Sequence, residues 1–147
     1  MFKNDKTKAS GKLIVEIKNE KGQVTQTREV KNLVVDTGLA YIASRMKDAT
    51  ATAMSHMAIG TGTTAAAAGN TALVTEADRN ALTSTTVTAN AVAYVASFAA
   101  GEGTGAITEA GILNANSSGT LLCRTVFSVV NKGASDSMTI TWTVTIS

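Results

Sequence analysis

His56 is the only histidine of the 147 residues, so the chain offers a single imidazole to a catalytic triad or a metal site. Ser55 precedes it, but a nucleophile needs a base that reaches its hydroxyl and a third group that orients the base. Adjacency in sequence supplies none of that geometry, and Met54 and Met57 mark the segment as apolar. His56 is therefore read as a packed side chain. Gly60-Thr-Gly62-Thr-Thr-Ala65 matches the loose dinucleotide-binding pattern. That pattern works only after a strand, before a helix and within strand–helix alternation. The alternation is missing, and no Gly-Lys-Ser/Thr marks a phosphate loop, so this segment is read as a surface or packing loop. Cys123 is the only cysteine. It can form neither an intrachain disulfide nor a thiolate-based zinc site, and it reads as a small apolar strand residue.

Two charges remain of interest. Glu109 and Arg124 both lie in apolar stretches joined by one hairpin turn, Asn116-Ser-Ser-Gly119. Pairing of those stretches brings them onto one face as a structural carboxylate–guanidinium pair. A catalytic use would need a second carboxylate nearby. Glu76 and Arg79 form a similar, weaker pair. No catalytic, cofactor-binding or metal-ligating residue is assigned, and no cofactor is expected.

The elements that position these residues read as strands. Met138 to Ser147 alternates apolar and hydroxylated side chains throughout. Successive strand residues point to opposite faces, so Met138, Ile140, Trp142, Val144 and Ile146 form an inward stripe. Thr139, Thr141, Thr143 and Thr145 form an outward one. Lys12 to Lys18 alternates too, with Leu13, Val15 and Ile17 inward and Lys12 and Lys18 outward. The turn Asn19-Glu-Lys-Gly22 links it to a second strand, Gln23 to about Lys31, whose charged outer residues would blunt an edge. One helix is expected near residues 37–47, capped by Asp36 or Thr37, with Leu39, Ile42, Ala43 and Met46 on its apolar side. Asp48 to Ala53 reads as a loop, Met54 to Ile59 as a short buried strand, and Gly60 to Ala72 as a long loop. Further strands are expected over Ala77 to Ala89, Asn90 to Ala99, Ala106 to Ala115 and Thr120 to Val130. Gly111 marks a bulge or a close backbone approach. Short strands at regular intervals predict a mainly β fold, an antiparallel, jelly-roll-like β-sandwich with one α-helix. Residues 1–10 read as a flexible arm and 11–147 as a single domain.

Composition agrees with this class. Hydrophobic residues make up 44% and charged residues 16%, too apolar and too weakly charged for a disordered chain. The formal net charge is +2, and no basic patch is interleaved with aromatics, so nucleic acid is not an expected partner. Ten of the thirteen basic residues lie between Lys3 and Lys47, which makes the N-terminal hairpin a basic surface. No apolar run approaches a membrane span, and Met1 to Lys12 lacks the apolar core of a signal peptide. The expected place of synthesis is the cytoplasm, with no membrane partner.

The order of segments resembles small virion structural proteins of tailed bacteriophages. The resemblance is carried by Met57 to Leu73 with Glu76 and Arg79, by Thr108 to Ala115, by Gly119 to Phe127 and the closing Thr-rich strand, and by Asn32 to Gly38. It covers most of the chain, from about Gly11 to Ile146, through packing and turn motifs. It implies a non-enzymatic component of the virion that is made in the host cytoplasm. Such a component docks on other virion proteins and self-associates as a homo-oligomer. A tail or neck part (fibre or collar module) is the expected position, with capsid decoration as the alternative. A carbohydrate-binding module is a further alternative, and it would need exposed aromatics. Thr139, Thr141, Thr143, Thr145, Lys12 and Lys18 are the interface candidates.

Overall fold

The computed structural model describes residues 8–47 and 52–147; Met1 to Thr7 of the expected arm and residues 48–51 of the expected loop lie outside them. Among the described residues the chain forms nine strands and one short helix. The strands are β1 (Ala9–Lys18), β2 (Val24–Val34), β3 (His56–Gly60), β4 (Glu76–Ala81), β5 (Ser84–Thr88), β6 (Ala91–Phe98), β7 (Gly105–Leu113), β8 (Leu121–Lys132) and β9 (Ser137–Ile146), and the helix α1 is Asp36–Ser44. They join in one sheet with the order β4-β3-β7-β8-β2-β1-β9-β6-β5. Every neighbouring pair is antiparallel.

The sheet curls because its inward stripes have a common target. Leu13, Val15 and Ile17 of β1 and Met138, Ile140 and Trp142 of β9 are buried together with Met57, Ile59, Ile107, Ile112 and Phe127 from the opposite half. Each large apolar side chain taken from water contributes about 1.5–3 kcal/mol, so closing the halves over one core outweighs keeping the sheet open. Register shifts at Ile17/Lys18, Ile59/Gly60 and Ile107/Glu109 supply local bending. The fold line is the junction of β2 and β8. Their backbone ladder contains only Leu33↔Arg124 and Val34↔Cys123. Beyond it the strands diverge, and β2 side chains span the gap. Arg28 donates to the carbonyls of Ser128 and Val129 at 3.3 and 2.9 Å, and Gln26 exchanges hydrogen bonds with the backbone of Asn131.

Local chemistry explains most boundaries. The β1–β2 turn closes where Gly22 adopts φ +77, and Asn19 Oδ1 accepts from the backbone of Lys21 and Gln23. β1 begins at Ala9, and Lys8 and Ser147 exchange backbone hydrogen bonds, so the strand reaches back into the segment read as an arm. Ala77 to Ala89 holds two strands rather than one, β4 and β5, separated at Leu82 and Thr83.

The helix lies where its spacing placed it but packs on a different side. Its N-cap is Val35, which makes no side-chain cap. Thr37 Oγ1 instead donates to the Leu121 carbonyl at 2.8 Å. Gly38 is the only buried residue of α1, with its backbone seated on the Leu122 carbonyl. That contact orients the face formed by Gly38, Tyr41 and Ile42 toward the sheet. Leu39 and Met46 are 47% and 87% exposed, because the backbone docking at Gly38 outweighs the apolar spacing.

Candidate functional site

The two halves of the sheet differ in what lies on their outer faces. On β9 the alternation buries Met138, Ile140, Trp142 and Val144, so Thr139, Thr141, Thr143 and Thr145 point outward. Register then sets their neighbours. Thr141 lies beside Ile14, Thr143 beside Lys12 and Thr145 beside Ser10, with Lys31 across from Lys12 on β2. The short hydroxylated side chains of β9 form the floor and the longer Lys12, Lys31 and Ile14 form one wall. The result is a shallow trough of about 510 Å³ lined by Ser10, Lys12, Ile14, Lys31, Thr141, Thr143 and Thr145 with the Gly11 backbone.

The trough offers hydroxyl donors and acceptors, two ammonium groups and an aliphatic patch at Ile14, which is 39% exposed. Lys12 Nζ lies 2.7 Å from Glu29 Oε1, with both side chains more than half exposed. A surface pair of that kind is worth at most about 1 kcal/mol, so the ammonium can exchange Glu29 for another acceptor. Thr139 and Lys18 continue the same face beyond the trough. Lys18 Nζ lies 3.7 Å from Glu16 Oε1. The structure thus gathers Lys12, Thr141, Thr143 and Thr145 and leaves Thr139 and Lys18 at the far end of the strands. Ser10, Ile14 and Lys31 were not singled out as interface candidates, although Ile14 shares the outward face of Lys12 and Lys31 ends the basic hairpin. The register imposed by the Asn19–Gly22 turn was the available signal for Lys31.

The other half carries its own cover. Met57 and Ile59 of β3 face the main core, so Ala58 between them faces outward. It joins Val35, Leu73, Leu113 and Leu121 in a second, smaller buried cluster. Residues 61–75 lie over this face, held by Glu109. Its carboxylate accepts from Gly62 N at 3.2 Å, Thr75 N at 2.7 Å and Val74 N at 3.1 Å. Arg124 donates to Glu109 Oε2 through Nε at 3.0 Å and Nη2 at 2.7 Å, and both side chains are fully buried. The remaining guanidinium donors reach Asn70 Oδ1 and the Thr64 carbonyl. Burial pushes the Glu109 carboxyl upward. The hydrogen bonds from Thr75, Arg124 and Val74 together outweigh it and hold the group below its ordinary range.

This clamp explains the glycines that resembled a nucleotide motif. A Cβ on Gly62 would lie 2.7–2.8 Å from the Glu109 carboxylate, so the loop can approach only without one. Gly111 has the same role under the cover, where a Cβ would meet Leu73 Cδ1 at 2.6 Å. Arg79 chelates Glu76 at 2.6 and 3.1 Å and also donates to the carbonyls of Ala115 and Ser118, fixing the β7–β8 turn.

The other chemical candidates take simpler places. Ser55 Oγ and His56 Nδ1 do meet at 2.8 Å, and among the described residues no carboxylate hydrogen-bonds the opposite ring nitrogen. Burial pushes the Cys123 thiol well above its ordinary value. Lys132, which the sequence reading missed, is buried, with Nζ donating to the carbonyls of Ala99 and Asp136 at 2.9 and 2.7 Å. Burial lowers its pKa against the opposing charges of Asp136, Glu102 and Asp78. Among the described residues no three His, Cys, Asp or Glu side chains gather as a metal site, and no helix is long and apolar enough to cross a membrane.

No family model, no curated protein sequence and no solved structure matches this chain.

Proposed function

We propose that this chain is a non-enzymatic structural module of a tailed-phage particle, which docks through the outer face of β1 and β9 onto a larger virion protein. The two halves of the curled sheet act as the leaves of a sandwich-like unit. One leaf is the scaffold, and the other presents a surface. The observation that carries the reading is the contrast between them. Residues 61–75 cover the face above β3, β7 and β8, whereas the face with Lys12, Thr141, Thr143 and Thr145 is left as an exposed trough. The segments that resemble phage virion proteins fall on both halves: β3 with its following loop, β4, β7, the start of β8 and the β2–α1 junction on the covered half, and the Thr-rich β9 on the presenting half. Those on the covered half build the clamp that holds residues 61–75 in place.

A tail or neck position is favoured, and the module would self-associate there. Stacking of sugars on aromatics is the weaker reading, because Trp142, Tyr94, Phe98 and Phe127 are all buried. The test is imaging of intact particles that carry this chain tagged at Ser147, which is exposed. Label at the neck, fibre or baseplate is expected. Label spread over the shell would replace the tail reading with capsid decoration, where copies stabilise the shell by mass action. Purified particles without label would overturn the virion role.

A further inference from the structure

We propose that the outer edge of β5 is a self-association surface, where a second copy of this chain adds its own β5 antiparallel across a two-fold axis at Thr86. Strand β5, Ser84–Thr88, ends the sheet and pairs with β6 alone. All five of its residues are exposed. An edge strand presents unpaired backbone donors and acceptors that template another strand, and soluble proteins normally blunt such edges with charges, proline or a cover. This edge has none of these devices among the described residues. From Asn80 to Gly101 the sequence carries no charged side chain and no proline.

The opposite edge of the same sheet shows the contrast. β4 carries Glu76, Asp78 and Arg79, Arg79 is tied to the β7–β8 turn, and Asn80 donates to the Ser97 carbonyl and to Glu102. That edge is guarded, and the β5 edge is open.

The chemistry of β5 selects a second copy as the occupant. A two-fold axis at Thr86 sets Thr86 against Thr86, Ser84 against Thr88 and Thr85 against Val87. Threonine–threonine and threonine–serine pairs across antiparallel strands hydrogen-bond favourably, and no like charges meet. The contact is isologous, so it closes as a dimer. A five-residue ladder is short, but it continues into apolar surface. Thr85 and Val87 line a largely apolar groove of about 330 Å³ with Tyr41, Ile42, Val92 and Ile146, to which Arg45 adds one charged side chain. Val87 is 70% exposed, and pairing of two edges would cover it in both copies. Tyr94, which also lines the groove, is buried, and that burial raises its pKa to about 12, with the Tyr41 phenol adding to the effect.

The inference refines the self-association in the reading above, and its test is separable because it uses the purified full chain. Sedimentation velocity is expected to show a dimer that forms with rising concentration. Thr86→Lys and Thr86→Glu each place like charges across the axis and are expected to be monomeric, whereas an equal mixture of the two restores the dimer. Amide hydrogen exchange in the unsubstituted chain is expected to slow over residues 84–88 as concentration rises, a readout that holds even if a variant fails to fold. A chain that stays monomeric at about 1 mM overturns the proposal. So does an oligomer that both variants retain, or a mixture that stays monomeric. Monomeric protein would leave the virion role standing, and unlabelled particles would leave the β5 contact standing.

Discussion

At the scale of single residues, Glu109 and Arg124 are the most consequential pair. Removal of one partner leaves a buried charge uncompensated, a loss of about 3–5 kcal/mol. Arg124→Ala is expected to lose that much in urea denaturation, which uncovers residues 61–75 as well. The pair also makes stability depend on pH. Glu109 has a lower pKa folded than unfolded, so its contribution is complete above the ordinary carboxylate value of about 4.3 and is lost as pH falls through the folded value. Urea midpoints of the wild-type chain should therefore fall below about pH 4. Glu109→Gln should start lower and decline less over the same range. Cys123 gives a second check. Its thiol is buried with a pKa well above the usual one, and reactivity belongs to the thiolate. Ellman's reagent is expected to label it only after denaturant is added; fast labelling of native protein would show that β8 opens.

At the scale of elements, the seating of α1 on β8 decides the shape of the groove mouth. Val35 N donates to the Leu122 carbonyl at 3.2 Å and Thr37 Oγ1 to the Leu121 carbonyl, and Gly38 lies directly against that Leu122 oxygen. A methyl group there meets backbone, which cannot turn aside. Gly38→Ala is expected to destabilise the fold by about 1–3 kcal/mol, read as a lower Tm. An unchanged Tm would mean that the helix floats on the sheet. The β2–β8 junction is the other decisive element contact. Its ladder is brief, and Arg28 and Gln26 act as side-chain rungs where the backbones part. They let one continuous sheet curl at this junction.

At the scale of the whole molecule, the division of labour between the halves is the basis of the proposed role. The clamped half spends its charges internally, and the other half leaves hydroxyls and lysines outward. Thr143→Glu changes the charge of the trough without touching the core, because Thr143 faces away from Trp142 and Val144 and the new carboxylate lies directly opposite Lys12, a favourable cross-strand pair. Its unfolding free energy is expected to stay within about 0.5 kcal/mol of the parent, while incorporation into particles falls. Normal incorporation of this variant would exclude the trough as the docking surface.

Much of this was legible in the chain. The alternation in β1 and β9, the Asn19–Gly22 hairpin, the position of the helix and the encounter of Glu109 with Arg124 all follow from short-range rules, since period and turn type act between near neighbours. Three things were not. The side on which α1 packs was decided by Gly38 against Leu122, and the purpose of Gly60–Ala72 by a carboxylate on β7. The closure of the halves was decided by β2 meeting β8. Each joins residues far apart in sequence. Sequence by itself determined which side chains share a face of each strand. Only the tertiary structure decided which faces are covered, because cover depends on where a distant backbone comes to rest.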